Sequence, residues 1–307
     1  EQIAINAISH KKPKGLISEF FNHEAINLLS GDLTNQVFVE SLPVSDFIVH
    51  SAGYGQPGRF LENKLKTIVI NSTTTLSLFK QLKKGGNFLF LSSAEVYSGN
   101  SNNLNHENEI GTTDPSHSRA CYIEGKRTGE TIVNIQRARG IKAVSARLSL
   151  AYGPGVRPND QRVLNQLIEK GKKGTIDLLD DGKAMRTYCY ITDVTSMLLS
   201  ILMNSTFPVY NVGGKSAISI KDLALKIGHL MNIPVQFPDS TTFMDDAPSR
   251  VGLDLSRIEA EHGMLDYVDM DGALLLKNDT ATGVKITSEK VIYPSENGTG
   301  VKLFKFE

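Results

Sequence analysis

The chain has 307 residues, with 33 basic against 33 acidic side chains and a formal net charge of zero. That balance argues against a nucleic acid or an acidic membrane surface as partner, and no apolar run is long enough for a membrane span or a signal-peptide core. Two isolated cysteines and no His-x-x-x-His or Cys-x-x-Cys spacing leave neither a disulfide framework nor a metal site to expect, and the chain reads as cytoplasmic.

Apolar runs alternate with helical patterns, which predicts an α/β protein on a parallel sheet. Residues 1–9 open on a strand, and 26–30 read as a second, followed by Gly31-Asp32-Leu33. An aspartate there either bonds its own backbone in a turn or faces a ligand. Residues 46–53 read as the next strand, running into Gly53-Tyr54-Gly55-Gln56-Pro57-Gly58. This matches Gly-x-Gly-x-x-Gly only formally, because Pro57 sits inside it and no ribose-binding acid follows in the usual place. A loop that lets backbone approach a ligand is the better reading.

Residues 61–82 carry Leu61, Leu65, Ile68, Val69, Leu76 and Phe79 near helical spacing, which predicts one helix. Thr73-Thr74-Thr75 is poor helix former, so packing must support it. Residues 88–97 form a continuous apolar run into Ser92-Ser93, as in a strand buried on both faces. Ligands in such sheets bind beyond the carboxyl ends of the strands, which places Ser93 and Glu95 where chemistry occurs. Residues 119–139 read as a second long helix, ended by Gly140.

That helix carries Tyr122 and Lys126, four apart and so on one face, one turn apart. An ammonium beside a phenol favours the phenolate, which predicts that Tyr122 is a usable base near neutral pH. Residues 143–148 read as a further strand. Beyond Tyr152-Gly153-Pro154-Gly155 the composition changes. A helix over 161–170, strands near Ile176 and Tyr188, and a helix over 219–231 suggest a smaller lobe interleaved with the sheet. Arg162 and Arg186 are candidate phosphate forks, Arg250 a weaker one, because guanidinium binds phosphate bidentately. The last stretch alternates at 284–286, 291–293 and 301–306 around the turn signal Glu296-Asn297-Gly298-Thr299-Gly300. It reads as a short β-rich tail, or a disordered one, of no assigned function. The expected organisation is a Rossmann-like domain over 1–150, a substrate-binding lobe over 151–275 and the tail over 276–307.

Taken together, Ser92-Ser93-Ala94-Glu95-Val96-Tyr97, Ser118-Arg119-Ala120-Cys121-Tyr122-Ile123-Glu124-Gly125-Lys126-Arg127, Arg147-Leu148-Ser149-Leu150-Ala151-Tyr152-Gly153-Pro154, Asn159-Asp160-Gln161-Arg162-Val163 and Asp181-Gly182-Lys183-Ala184-Met185-Arg186 stand in one order. In that order the chain resembles the extended short-chain dehydrogenase/reductases that act on nucleotide sugars. The second motif looks most like the UDP-glucuronate decarboxylase branch. The resemblance implies NAD as cofactor, a nucleotide-diphosphate sugar as substrate, and a homodimer paired through the two long helices. It implies that Asp32 and Leu33 lie against the adenine, that Ala52 and Gly53 touch the cofactor, and that Asn71 braces the catalytic centre. Tyr122 would take the sugar C4 hydroxyl proton. Lys126 would lower the tyrosine pKa and hold the nicotinamide ribose. Ser93 would bond O4, and Glu95 would be a second acid/base.

Three departures from the family stand out. The opening strand, the Gly-x-x-Gly-x-x-Gly turn and the first helix have no counterpart, so the first βα unit is expected to be missing. Leu150 stands where the family usually has a sugar-contacting asparagine, and the tail is unrelated. Ala94 fits neither the decarboxylase nor the dehydratase pattern, so the reading leans to decarboxylation without excluding dehydration or epimerisation. The alternative is a non-catalytic homologue that binds a sugar nucleotide or a partner subunit.

Overall fold

The computed structural model describes residues 3–14, 16–19, 21–153, 160–238, 252–263, 266–268 and 270. Arg250 and the expected tail over 276–307 lie outside them. In chain order the first elements are β1 (Ile5–Ser9), α1 (Leu16–Glu19), β2 (Ile26–Ser30), α2 (Gln36–Glu40) and β3 (Ser45–His50). Then come α3 (Pro57–Glu62), α4 (Lys64–Asn71), α5 (Thr73–Leu78), β4 (Leu82–Ser93), α6 (Ala120–Ala138) and β5 (Lys142–Leu148). The remainder comprises β6 (Leu150–Tyr152), α7 (Val163–Gly171), β7 (Ile176–Asp177), β8 (Met185–Tyr190), α8 (Ile191–Met203), β9 (Val209–Val212), β10 (Ser216–Ser219), α9 (Ile220–Met231), β11 (Val235–Gln236) and α10 (Ser256–His262).

The predicted parallel sheet is present, in two pieces. β3, β4, β5 and β9 form a four-stranded parallel sheet in that order, while β1 and β2 pair in parallel as a separate ribbon. Among the described residues no ladder joins the ribbon to β3. Ile5 and Ile8 on β1 and Phe47 and Val49 on β3 stay exposed, whereas Ile48 points the other way into a core. The break falls where the resemblance leaves out a strand.

The four-stranded sheet is covered on both faces, and the pleat decides which side chain goes where. Phe88 and Phe90 point to one face, against Val133 of α6, Leu78 and Phe79. Leu89 points to the other, with Val144, Ala146 and Val212, against Met197 and Ile201 of α8 and Ile258 of α10. After β6 to β8 the chain returns to the main sheet through α8 and β9. The lobe has its own core of Leu164, Leu167, Ile176, Tyr188, Leu223 and Ile227. α6 lies close on β4: a Cβ on Gly129 would stand 2.3 Å from the Phe90 ring.

The single helix expected over 61–82 is broken. Asn63 and Ser72 leave helical geometry between α3, α4 and α5, and Leu82 already begins β4. The hydroxyls of Thr67, Ser72 and Thr75 each bond the carbonyl four residues back, at 2.9, 2.7 and 2.8 Å. Such back-bonding bends helices. The helix expected over 119–139 is intact as α6, and Gly140 follows it with φ +87°. No helix among the described residues is long and apolar enough to cross a membrane.

Candidate active site

Beyond the carboxyl ends of β3 and β4, between the sheet and the lobe, opens a cleft of about 650 Å³. Ser93, Glu95, Tyr122 and Lys126 line one side of it, Arg162 and Arg186 come from the lobe. With Gly53, five segments far apart in sequence thus bring seven of the expected site residues into one cleft.

Tyr122 lies in the first turn of α6, and its ring stacks on Phe60 at 4.8 Å between centroids. The Ser93 hydroxyl lies near enough to the phenol to help hold its pKa down. The same oxygen accepts the Glu95 backbone N–H at 3.2 Å, so Ser93 is a strand-end cap beside Tyr122. One turn along α6, the Lys126 ammonium donates to the Leu91 carbonyl at 2.7 Å. It lies 5.7 Å from the centre of the Tyr122 ring.

At the Tyr122 phenol, burial outweighs the acidifying pull expected of Lys126. Burial pushes the Tyr122 pKa up to about 12, the Glu95 charge adds to that, and Ser93, Arg119 and Arg162 oppose it. Burial likewise drives Lys126 down to about 7, against the pull of Glu130. Desolvation disfavours the charged form of each group, and here it outweighs their proximity.

Arg119 is the cleft residue the sequence reading passed over. It donates from Nε to one Glu95 oxygen at 3.1 Å and from Nη2 to the other. Its guanidinium also sits 5.1 Å from the centre of the Phe60 ring. The Arg-Ala-Cys-Tyr motif contained it, but its partner lies 24 residues away on another element. Arg162 is bonded to Asp160 through Nε and Nη2, at 3.0 and 2.6 Å from Oδ2. Arg186 donates to its neighbour Met185's carbonyl at 2.8 Å.

Asp32 closes a turn on Thr34 and also holds Lys66. Its carboxylate accepts the Thr34 N–H at 2.9 Å and hydroxyl at 2.7 Å, and Lys66 at 3.0 Å. The Thr34 bonds first, and Lys66 after them, hold its pKa at about 2. Leu33 packs against the core below α5, and the cleft wall includes Gly53 but neither Asp32, Leu33 nor Ala52. Asn71, from the end of α4, donates to the Thr67 carbonyl at 2.8 Å, and its own carbonyl oxygen is buried without a partner.

The nicotinamide-ribose end of a dinucleotide fits these residues. An added Cβ on Gly53 would stand 3.8 Å from Lys126 Nζ, an ordinary contact, and Gly55 has open space around it.

A phenol sharing a cleft with a strand-end serine, with a lysine one helical turn on at the end of a parallel sheet, is the arrangement of the short-chain dehydrogenase/reductase class. Within it the chain belongs to the NAD dependent epimerase/dehydratase family, whose model matches residues 5–213. UDP-glucuronic acid decarboxylase 6 of Arabidopsis thaliana is 27% identical over 270 residues, covering 87% of this chain and 77% of that protein. A UDP-glucose 4-epimerase of Thermotoga maritima, solved with UDP-glucose, has the same fold at a TM-score of 0.78 and 18% identity, covering 91% of both chains. A dTDP-glucose 4,6-dehydratase of Streptomyces venezuelae, solved with NAD and TYD bound, has a TM-score of 0.78 at 17% identity, covering 92% of this chain and 88% of that one.

Proposed function

We propose that this chain oxidises the C4 hydroxyl of a nucleotide-diphosphate sugar and acts through the 4-keto sugar, with UDP-glucuronate decarboxylation as the favoured outcome. The observation that carries the reading is the meeting of Ser93, Tyr122 and Lys126 in a cleft that also holds Arg162 and Arg186. The similarity to UDP-glucuronic acid decarboxylases supports the choice of reaction.

Bound NAD⁺ supplies the hydride acceptor. Ser93 holds O4, and Tyr122 accepts the hydroxyl proton once it is a phenolate. Arg119 and Arg162 favour that phenolate, while burial and Glu95 oppose it. In the resulting β-keto acid the C5–C6 bond breaks, CO₂ leaves, and the electron pair passes into an enolate whose O4 Ser93 still holds; C5 then takes a proton, and the hydride would return to C4 as Tyr122 gives its proton back to O4. Glu95 is the second acid/base candidate, and the lobe arginines take the diphosphate. Exposed Leu65 and Ile68 on α4 and Ile135 on α6 support pairing with a second copy through these helices.

One observation favours a second reading, a non-catalytic homologue that binds a sugar nucleotide or a partner subunit: the break between β1 and β3, where a cofactor seat would stand. Calorimetry with NAD(H), then mass spectrometry after incubation with NAD⁺ and UDP-glucuronate, separates the two. The enzyme reading predicts saturable cofactor binding and a sugar product lighter by CO₂. Absence of saturable NAD(H) binding sinks it.

A further inference from the structure

We infer that the Tyr188 hydroxyl is a hydrogen-bond donor to the diphosphate of the bound sugar nucleotide, acting opposite Leu150 on the β6–β8 pair; the inference rests on the nucleotide-sugar reading above. β6 and β8 run parallel with Leu150 in register with Tyr188, so the two side chains stand side by side in the sheet. Both line the cleft. Leu150 puts a hydrocarbon where the resembled enzymes usually have an amide, which removes a polar contact from this wall.

Tyr188 restores a polar group one strand away. The residue is only 3% exposed, its ring packs edge-on against Tyr152 at 5.8 Å, and its hydroxyl has no hydrogen-bond partner. A buried hydroxyl without a partner costs folding free energy that a phenylalanine in the same place would not. The lobe core therefore gains nothing from the oxygen. What surrounds it favours an incoming anion. Arg186, two residues earlier on β8, lies on the same face of the strand, and the charges of Arg186 and Arg162 both act on the phenol. Burial keeps the phenol neutral, hence a donor. A phosphate oxygen drawn by the two guanidiniums would supply the missing acceptor.

Tyr188→Phe tests this, with UDP and UDP-glucuronate as probes in calorimetry and thermal unfolding as the control. The expected result is about a tenfold weaker affinity for both probes, by the same factor, with a melting temperature equal to or above that of the parent protein. Equal factors place the contact on the diphosphate that both probes share. Unchanged affinity overturns the inference, as does a loss confined to UDP-glucuronate, which would put the hydroxyl on the sugar. A lowered melting temperature with unaltered affinity also overturns it, by making the oxygen structural. If the parent protein itself binds no UDP, the nucleotide-sugar reading fails and the inference falls with it; parent binding that Tyr188→Phe leaves intact removes the inference alone.

Discussion

Arg119 and Glu95 face each other inside the cleft, two guanidinium nitrogens on two carboxylate oxygens, with Phe60 under the arginine and Tyr122 stacked on Phe60. The pair ties the helix bearing the phenol to the strand end bearing the serine. It also sets the charge around the phenol, since Arg119 lowers the Tyr122 pKa and Glu95 raises it.

Arg119→Gln should therefore raise the phenol pKa, because a cation is lost while the carboxylate stays. The alkaline rise of the pH–rate profile should move to higher pH, and turnover at pH 7 should fall about tenfold or more. A profile superimposable on that of the parent would remove Arg119 from the electrostatics of the site.

Tyr122→Phe should reduce turnover by at least about a thousandfold, as expected when the proton acceptor is removed. The ring keeps its stack on Phe60, so the unfolding midpoint should change by the equivalent of about 1 kcal/mol or less. Product mass and urea denaturation read the two effects separately. Unaltered turnover would refute the assigned role.

Lys126 gives a stability prediction with a definite sign. In the unfolded chain its amine holds a proton up to about 10.5, in the folded chain only to about 7. Between those values the unfolded state binds the extra proton, so the contribution of Lys126 to stability rises with pH. The burial penalty is complete below pH 7 and gone above 10.5. Lys126→Met abolishes it. The stability advantage of that variant over the parent should shrink by up to about 1.4 kcal/mol per pH unit between 7 and 10, measured by urea titration at each pH. A difference independent of pH would mean the amine is charged in the fold.

Glu130 anchors a buried charge cluster. It accepts from Arg147 at 3.0 and 2.8 Å and from the Ser92 hydroxyl, while Arg147 also reaches Tyr97 and the Glu107 and Glu109 carbonyls. Glu130→Ala leaves the guanidinium buried beside neutral oxygens. It should cost about 3–5 kcal/mol of unfolding free energy. Replacing Glu130 with alanine at a cost below about 1 kcal/mol would show the pair to be dispensable.

What could be read from the sequence was whatever a local period encodes. α6 with Tyr122 and Lys126 on one face, and β4 ending in Ser93, follow from helical spacing and from a continuous apolar run. α8 is absent from the sequence reading although Thr192, Asp193, Thr195, Ser196 and Ser200 fall on one face of Ile191–Met203. The breaks at Asn63 and Ser72 depend on hydroxyl-to-carbonyl bonds that no periodicity records. The phenol and ammonium were legible as neighbours, but their protonation was not. Burial decides it, and burial arises from Phe60, Phe90 and the strands around them. Asp32 shows the converse: its turn bonds to Thr34 are local and follow from neighbouring residues alone.

The isolated β1–β2 ribbon has a kinetic consequence. Two strands on their own are barely stable in water, whereas β4 and β5 are sealed between layers. Opening should thus proceed in stages, with the amides of Ile5–Ser9 and Ile26–Ser30 taking up deuterium early and Phe88 to Phe90 last, so that a protease would trim the amino-terminal ribbon while the catalytic helix is still folded.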